Sequence, residues 1–123
     1  MVALVTGSST GIGAATAITL ARAGHSVYAG MRKPEAADAE LKASGAQPVM
    51  LDVDSDASVA AAFTKPIDVL VNNAGVAVFG AIEDVPLEEF RRMMETNYFG
   101  ALRCIKAVIP VACASAAAAV LST

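Results

Sequence analysis

The sequence predicts a single domain of the α/β class, in which a parallel sheet carries helices on both faces. Three observations indicate this architecture. Short β-branched runs alternate with stretches of helical character. The runs at residues 3–5 and 69–71 are continuously apolar, as expected for strands that are covered on both faces. The length of 123 residues, with 55% hydrophobic and 17% charged residues, suits one domain over residues 1–123.

Each element follows from its local pattern. Apolar, β-branched runs predict strands at Val2–Val5, Ser26–Tyr28, Pro48–Leu51 and Ile67–Val71. Helical character predicts helices at Ile12–Ala23, Ala36–Ala43, Ala57–Phe63 and Leu87–Ile109. The first helix carries an apolar stripe at i, i+3, i+4 and i+7 from Ala14, and Gly24 follows where a C-terminal glycine cap is expected.

Composition excludes several classes of function. A net charge of −3 argues against a nucleic-acid partner, which needs a clustered excess of Lys and Arg. One histidine and two cysteines, without ligand spacing, predict no metal site and reduced, inert thiols, as in a cytoplasmic protein. The amino terminus lacks a secretory signal pattern. The most apolar stretch, residues 98–121, is interrupted by Arg103, Lys106 and Pro110, so we predict no membrane contact.

The loop after the first strand carries the strongest chemical signal. Its sequence, TGSSTGIG at residues 6–13, follows a strand and opens a helix. Gly7 permits a tight turn, Gly11 lets the backbone approach a pyrophosphate, and Gly13 lets the helix pack closely on the strand. The helix N-terminus adds free N–H groups and a positive dipole end. A plain Gly/Ser turn is the alternative, but the strand–helix–strand context favours a dinucleotide-phosphate loop.

The spacing TGxxxGxG resembles the glycine motif of the short-chain dehydrogenase/reductase family. Three further segments resemble motifs of that family in the right order: LDVD at residues 51–54, NNAG at 72–75 and NYFG at 97–100. The resemblance implies a three-layer, doubly wound Rossmann-type sheet and an NAD(P) cofactor. It also implies hydride transfer between an alcohol and a ketone or aldehyde. Residues 28–32 and the Asn97 region look most like the hydroxysteroid or retinol dehydrogenase branch.

The resemblance also implies roles for individual residues. The pyrophosphate and the adenosine ribose would be lined by Gly7, Ser9, Thr10, Gly11, Ile12 and Gly13. Asp52 would accept a hydrogen bond from the adenine amine, beside the backbone of Val53. The adenosine side would also be contacted by Asn73, Ala74 and Gly75. Asn97 would belong to the family's catalytic tetrad.

Asn97 is also singled out by its spacing. Steps of three and four residues place it on the apolar, inward side of the predicted helix Leu87–Ile109. A buried amide without partners costs about 1–3 kcal/mol, so an inward Asn97 needs a reason. We expect a functional role; an asparagine that only bonds neighbouring backbone is the alternative.

The end of the second strand bears on the choice of cofactor. An NAD-preferring site places a carboxylate there, about twenty residues beyond the glycines, to bind the ribose 2′-hydroxyl. This sequence has Met31 followed by Arg32, and a guanidinium can bind a 2′-phosphate bidentately. We therefore predict NADP(H) rather than NAD(H). The alternative is a solvated Arg-Lys pair leading into a turn at Pro34.

One catalytic element of the resembled family is absent from this sequence. The family's chemistry uses a Tyr four residues before a Lys, but position 32 after Tyr28 is Arg32 and position 102 after Tyr98 is Leu102. Two alignments of the tail remain open. In one, residues 119–123 begin the fifth strand, and the Ser and the Tyr-Lys pair would follow. In the other, residues 112–116 resemble the start of the active-site helix with Ala at the Tyr and Lys positions.

Three hypotheses about function follow from these patterns. The first is a reductase-like chain, incomplete or abbreviated and inactive alone, whose relatives act on a small carbonyl or alcohol substrate. The others are a non-catalytic NADP(H)-binding module and a structural fragment.

The chain is short between its third and fourth predicted strands. Only fifteen residues separate Asp52 from Asp68, which is tight for a parallel crossover. An incomplete sheet exposes an edge and an apolar face, so we expect a homo-oligomer.

Overall fold

The computed structural model describes residues 1–112 and 119–122 of the chain, the latter by backbone course alone. The strands are β1 (Val2–Val5), β2 (Ser26–Met31), β3 (Gln47–Met50), β4 (Val69–Asn72) and β5 (Ala119–Ser122). The helices are α1 (Gly11–Arg22), α2 (Ala39–Ala43), α3 (Asp56–Ala62), α4 (Leu87–Met94) and α5 (Ala101–Ala112). A 3-10 turn (Pro34–Ala36) precedes α2, and a π-helical segment (Glu95–Gly100) joins α4 to α5.

The strands form a parallel sheet in the order β3-β2-β1-β4-β5. The central strand β1 pairs on both sides, so that Val5 lies opposite Ala29 and Val71. Chain order therefore runs outward in one direction from β1 to β3 and in the other from β4 to β5. In open α/β sheets, the crevice at such a reversal is where ligands bind. The predicted α/β, doubly wound parallel sheet is confirmed.

Two apolar layers separate the sheet from its helices. On one face, α1 and α2 cover a core that includes Val5, Ala29 and Leu41. On the other face, α3 and α5 cover a core that includes Leu4, Leu70 and Val108. Successive side chains of β1 thus enter opposite cores, as the period of a strand dictates. The run at residues 3–5 is buried on both faces, as predicted; in the run at 69–71, Leu70 and Val71 are buried and Val69 is partly buried.

The first helix follows its sequence pattern. Ala17 is buried, and the other members of the predicted stripe pack against the same core. Gly24 has φ +92°, and its N–H donates to Ala21 O while the N–H of His25 donates to Leu20 O. This pair of bonds is a Schellman cap, in which the left-handed residue is usually glycine.

Some element boundaries differ from those predicted. Strand β2 runs three residues further, to Met31, because its apolar end is buried against α1 and α2. Strand β4 begins at Val69, and the fully buried Ile67 anchors the connection before it. Helix α2 begins only at Ala39, because the Asp38 carboxylate accepts a hydrogen bond from Glu40 N at 2.6 Å and caps it there.

The long helix predicted over Leu87–Ile109 is wrong in its continuity. The structure divides it into α4, the π-helical segment and α5, and α5 continues through Pro110 to Ala112. A π turn holds more residues than an α turn, so side chains beyond it are rotated relative to α-helical spacing. Any face assigned across this segment from 3.6-residue spacing is therefore shifted.

Arg103 fastens the π-helical segment to the rest of the chain. Its guanidinium donates to Asp56 Oδ1 at 2.6 Å, to Val53 O at 3.2 Å, and to the Glu95 carboxylate. The bond to Glu95 and the bond to Asp56 raise the pKa of Arg103. One side chain thus connects α5, the start of α3, the loop after β3 and the π-helical segment.

The described tail follows the first of the two alignments. Strand β5 lies parallel to β4, with Leu121 in register with Val71 at the backbone. Residues 113–116, on which the second alignment depends, lie outside the described residues.

Candidate dinucleotide-binding site

The segment that runs from β1 into the first turn of α1 requires glycine at two positions because of close contacts. Gly7 has φ +67°, and a Cβ there would lie 2.7 Å from the Cα of Ala74. At Gly13 a Cβ would lie 2.3 Å from Gly7 O and 2.4 Å from Asn73 Nδ2. These distances are too short for a side-chain carbon. The first turn of α1 therefore packs directly onto the loop and onto Asn73.

Thr6 joins the ends of β1 and β4. Its hydroxyl accepts hydrogen bonds from the N–H groups of Asn73, at 3.0 Å, and Ala74, at 2.9 Å. It also lies 3.4 Å from Val71 O, to which it donates. In return, the side-chain amide of Asn73 donates to Thr6 O and to Gly7 O, both at 3.1 Å. This network sets the shape of the glycine loop against β4.

The N-terminus of α1 is open to an anion. Thr10 is the N-cap residue, yet its side chain makes no capping hydrogen bond, and the first turn contains no acidic residue. Gly11 has φ +62°, and no atom lies within 4 Å of where its Cβ would be. Free N–H groups, a positive dipole end and an uncovered backbone are what a pyrophosphate needs.

A cleft of about 300 Å³ opens at the carboxyl ends of β1 to β4. Among the predicted site residues, it is lined by Gly7, Ser9, Thr10, Arg32, Asp52, Val53, Asn73, Ala74 and Gly75. Four predicted site residues lie outside its lining: Asn97, and three residues of the first turn of α1, of which Gly11 borders open space, Gly13 is buried under the loop and Ile12 is exposed. The fold thus brings together residues from four separate stretches of the chain.

The chain is similar to known proteins in sequence and in fold. The family model described as short chain dehydrogenase matches residues 1–123. The chain belongs to the short-chain dehydrogenase/reductase family.

Individual relatives give the extent of the similarity. Uncharacterized oxidoreductase YusZ of Bacillus subtilis is 42% identical over 121 aligned positions, which span 89% of this chain and 43% of that protein. Human retinol dehydrogenase 8 is 39% identical over 119 positions, spanning 87% of this chain and 38% of that protein. The crystal structure of a short-chain dehydrogenase from Streptomyces avermitilis superposes with a TM-score of 0.89 at 32% identity, covering 98% of this chain and 47% of that one. The chain therefore spans less than half the length of these relatives.

Members of the short-chain dehydrogenase/reductase family are oxidoreductases that bind a nicotinamide cofactor, NAD(H) or NADP(H). The two charged residues of the cleft differ in their contacts. Asp52 is partly anchored, because one carboxylate oxygen accepts from Asp54 N at 3.0 Å and its own N–H donates to Ser58 Oγ at 2.9 Å. Arg32 is exposed at the end of β2, and its guanidinium forms no ion pair with the described residues.

The expected burial of Asn97 is wrong. Its side chain is exposed, and the buried positions of the π-helical segment are Thr96 and Gly100. The reason is the π turn, which rotates Asn97 away from the inward stripe. The amide nevertheless forms one hydrogen bond at each end, since Oδ1 accepts from Val76 N at 2.7 Å and Nδ2 donates to Val76 O at 2.8 Å. Asn97 thus holds the loop that follows Gly75, outside the cleft lining.

Three residues of the site escaped sequence reasoning. Met31 and Leu51 line the cleft although both are buried, and Thr6 orders the loop. A usable signal existed for Met31 and Leu51, because the side chains at strand ends face the crevice of a parallel sheet. Thr6 opens the TGxxxGxG motif, but the motif alone does not indicate which backbone groups its hydroxyl binds.

None of the described helices is both long enough and apolar enough to span a bilayer. Across residues 1–112 and 119–122, His, Cys, Asp and Glu side chains form no group of three that could hold a metal ion.

Proposed function

We propose that this chain is the NADP(H)-binding portion of a short-chain reductase acting on a ketone or alcohol. The observation that carries the proposal is the cleft, which combines a glycine-lined loop with Arg32, and with no carboxylate, at the end of β2. A nicotinamide dinucleotide supplies or accepts a hydride when it is bound. The chain's own part is to bind and orient that cofactor.

Each group of residues at the cleft binds a different part of the cofactor. The loop from Gly7 to Gly13 and the N-terminus of α1 receive the pyrophosphate. Asp52 accepts from the adenine amine, and Val53 lies beside it. The adenosine side of the cofactor is also contacted by three residues that follow β4: Asn73, Ala74 and Gly75. Ser9 and Arg32 bind the 2′-phosphate, for which a guanidinium is the fitting charge.

Asn97 acts in this proposal as a positioning residue. Its two hydrogen bonds hold Val76, one residue beyond the cleft-lining Gly75. A Cβ at Gly75 would lie 3.2 Å from Asn97 Oδ1, so the two chain segments are in close contact. The resemblance implies that Asn97 belongs to the family's catalytic tetrad. In this proposal, Asn97 would contribute to catalysis by holding the backbone at Gly75 and Val76 in place.

The substrate class is proposed from the relatives. The name of the human relative indicates an alcohol of the retinol type, in agreement with the hydroxysteroid or retinol dehydrogenase resemblance. The 123-residue chain itself contains no Tyr with a Lys four positions later. We therefore expect negligible reduction of ketones by this chain alone, and a non-catalytic NADP(H)-binding module remains the second candidate. We also predict that the protein is cytoplasmic and that it forms a homo-oligomer.

The test is a fluorescence titration of the chain with NADPH and with NADH. Replacing Arg32 with Ala removes a charge-assisted contact to the 2′-phosphate, worth about 1.5–3 kcal/mol, so NADPH affinity should fall tenfold or more while NADH affinity barely changes. Lys33→Ala is the matched control, since it removes a neighbouring exposed cation. Equal losses for both nucleotides would refute the phosphate preference, and no binding of either would refute the cofactor site.

A further inference from the structure

A second cavity lies between α3 and the edge of the sheet, where β2 meets the edge strand β3. This α3 groove has a volume of about 590 Å³. Its lining residues are Tyr28, Val49, Met50, Ala57, Ser58, Ala61, Ala62, Thr64 and Lys65. None of them lines the cofactor cleft. The volume is within the range of small-molecule sites, about 300–1,000 Å³.

The groove exists because α3 presents small side chains to the sheet edge. Its larger residue, Val59, together with the following Phe63, packs into the core shared with α5. The side facing β3 carries Ala57 and Ala61, whose methyl groups reach only a short distance. The space between helix and sheet is therefore unfilled, and Met50 remains 52% exposed. Water against such an apolar lining is readily displaced by an apolar ligand.

One end of the groove is cationic. The ammonium group of Lys65 lies 5.3 Å from the centroid of the Tyr28 ring. No carboxylate of the described residues lies within ion-pair distance of it. The hydroxyl of Ser58 is already an acceptor for Asp52 N at 2.9 Å. The charge of Lys65 is thus left for a ligand at the mouth of an otherwise apolar cavity.

We propose that the α3 groove binds a small amphipathic carboxylate. Its hydrocarbon body lies between Tyr28, Val49 and the alanines of α3, and its carboxylate pairs with Lys65. The Tyr28 ring holds the ammonium near the groove, because the face of an aromatic ring attracts a cation. A neutral amphiphile would fill the same space without using this charge, and a cationic one would be repelled.

Calorimetric titration of the 123-residue chain with dodecanoate, below its micelle concentration, tests the proposal. Dodecan-1-ol is the neutral probe of the same chain length. We expect saturable binding of dodecanoate, at least tenfold weaker binding of dodecanol, and methyl shifts at Met50 in NMR spectra. Lys65→Met should weaken dodecanoate binding at least tenfold, whereas the control Lys42→Met, which removes an exposed cation on α2, should not change it. Equal binding of both probes, or no effect of Lys65→Met, would overturn the proposal.

A second variant tests whether the cavity itself is the site. Ala61→Phe fills the groove and should abolish binding; its unfolding temperature shows whether it has folded, and Ala57→Leu replaces it if it has not. Should filling the groove instead convert a dimer to a monomer in sedimentation, a second copy of the chain occupies it and the proposal fails. NADPH titration of Lys65→Met is expected to match that of the unaltered chain, so the groove and the cofactor site are tested separately.

Discussion

Single buried hydroxyls can organise a binding loop, and Thr6 is the example in this chain. It is 1% exposed, and its hydroxyl accepts from two backbone N–H groups of the loop after β4 while donating to Val71 O. A threonine does this where valine of nearly the same shape cannot, because only the hydroxyl accepts a hydrogen bond. The hydroxyl oxygen of Thr6 therefore helps to set the shape of the cleft wall, together with the side-chain amide of Asn73.

We expect Thr6→Val to lower the free energy of unfolding by about 2 kcal/mol or more. The substitution leaves two N–H groups without an acceptor, each at a cost of about 1–3 kcal/mol. Urea denaturation measures the change. Thr6→Ser, which keeps the hydroxyl, is the control and should retain most of the stability. Equal destabilisation by Val and Ser would show that the methyl group, rather than the hydroxyl, matters.

Substitution should distinguish the glycine that is needed for packing from the glycine that is needed for nucleotide binding. Gly13→Ala meets backbone and should destabilise the chain by about 1–3 kcal/mol, as overpacking does. Gly11→Ala meets no atom, so it should cost only the strain of its positive φ, about 1–2 kcal/mol, but should weaken NADPH binding. Gly24→Ala has the same kind of strain at the far end of α1 and serves as the control. NADPH affinity lost equally at positions 11 and 24 would contradict the cradle role of Gly11.

Stability at alkaline pH should depend on Cys104. Burial raises the pKa of this thiol to about 12 from an ordinary 9.0, against the opposing influence of Arg103. The unfolded chain therefore loses the proton first. The contribution of Cys104 is complete below about pH 9 and falls by about 1.4 kcal/mol per pH unit as the pH rises towards 12. Urea midpoints at pH 8 and pH 10.5, an interval of ~2.5 pH units, should differ more for the parent chain than for Cys104→Ala; parallel curves would count against a buried, neutral thiol.

At the scale of elements, the π-helical segment decides which side chains reach the loop after β4. It turns Asn97 outward from the core and toward Val76. There the side-chain oxygen and the side-chain nitrogen of Asn97 each form one hydrogen bond with the backbone of Val76. Arg103 binds Glu95 of the same segment and also Asp56 at the start of α3, so it connects the two. π turns inside helices occur mostly as single-turn bulges and frequently at functional sites.

Replacing Asn97 should therefore loosen the loop rather than the core. In Asn97→Ala the amide of Val76 loses its acceptor, so its hydrogen exchange should quicken while the exchange of core strand amides is unchanged. Asn97→Asp keeps the acceptor for Val76 N and should restore most of the protection. The cost to global stability should be about 1 kcal/mol. Unchanged exchange at Val76 in Asn97→Ala would exclude the positioning role.

At the scale of the whole molecule, cofactor binding should stabilise the fold. The cleft combines residues at or just beyond the carboxyl ends of β1, β2, β3 and β4, so it exists only when the sheet is formed. NADPH at 100 times its dissociation constant should raise the free energy of unfolding by about 2.7 kcal/mol. Thermal unfolding with and without NADPH measures this. Gly11→Ala at the same nucleotide concentration should show a smaller shift; identical shifts would place the nucleotide elsewhere.

The elements predicted best were those whose signals are local. The strand β1 was predicted to the residue, and α1 with its glycine cap to within one residue, because period, cap and turn residues all lie within a few positions of each other. The long helix was predicted as continuous because apolar spacing cannot report a π turn, which depends on contacts with the loops around it. For the same reason the burial of Asn97 was predicted wrongly, although its importance was noticed.

By itself, the sequence determined the α/β alternation, the glycine loop and the family to which the chain belongs, because each depends on residues that are close along the chain. Tertiary structure decided which distant residues share the cleft, that Thr6 and Asn97 act through backbone of β4 and its loop, and that α3 leaves a groove beside β3. Those features depend on contacts between segments far apart in sequence, and such contacts are fixed only when the sheet and its covering helices are packed together.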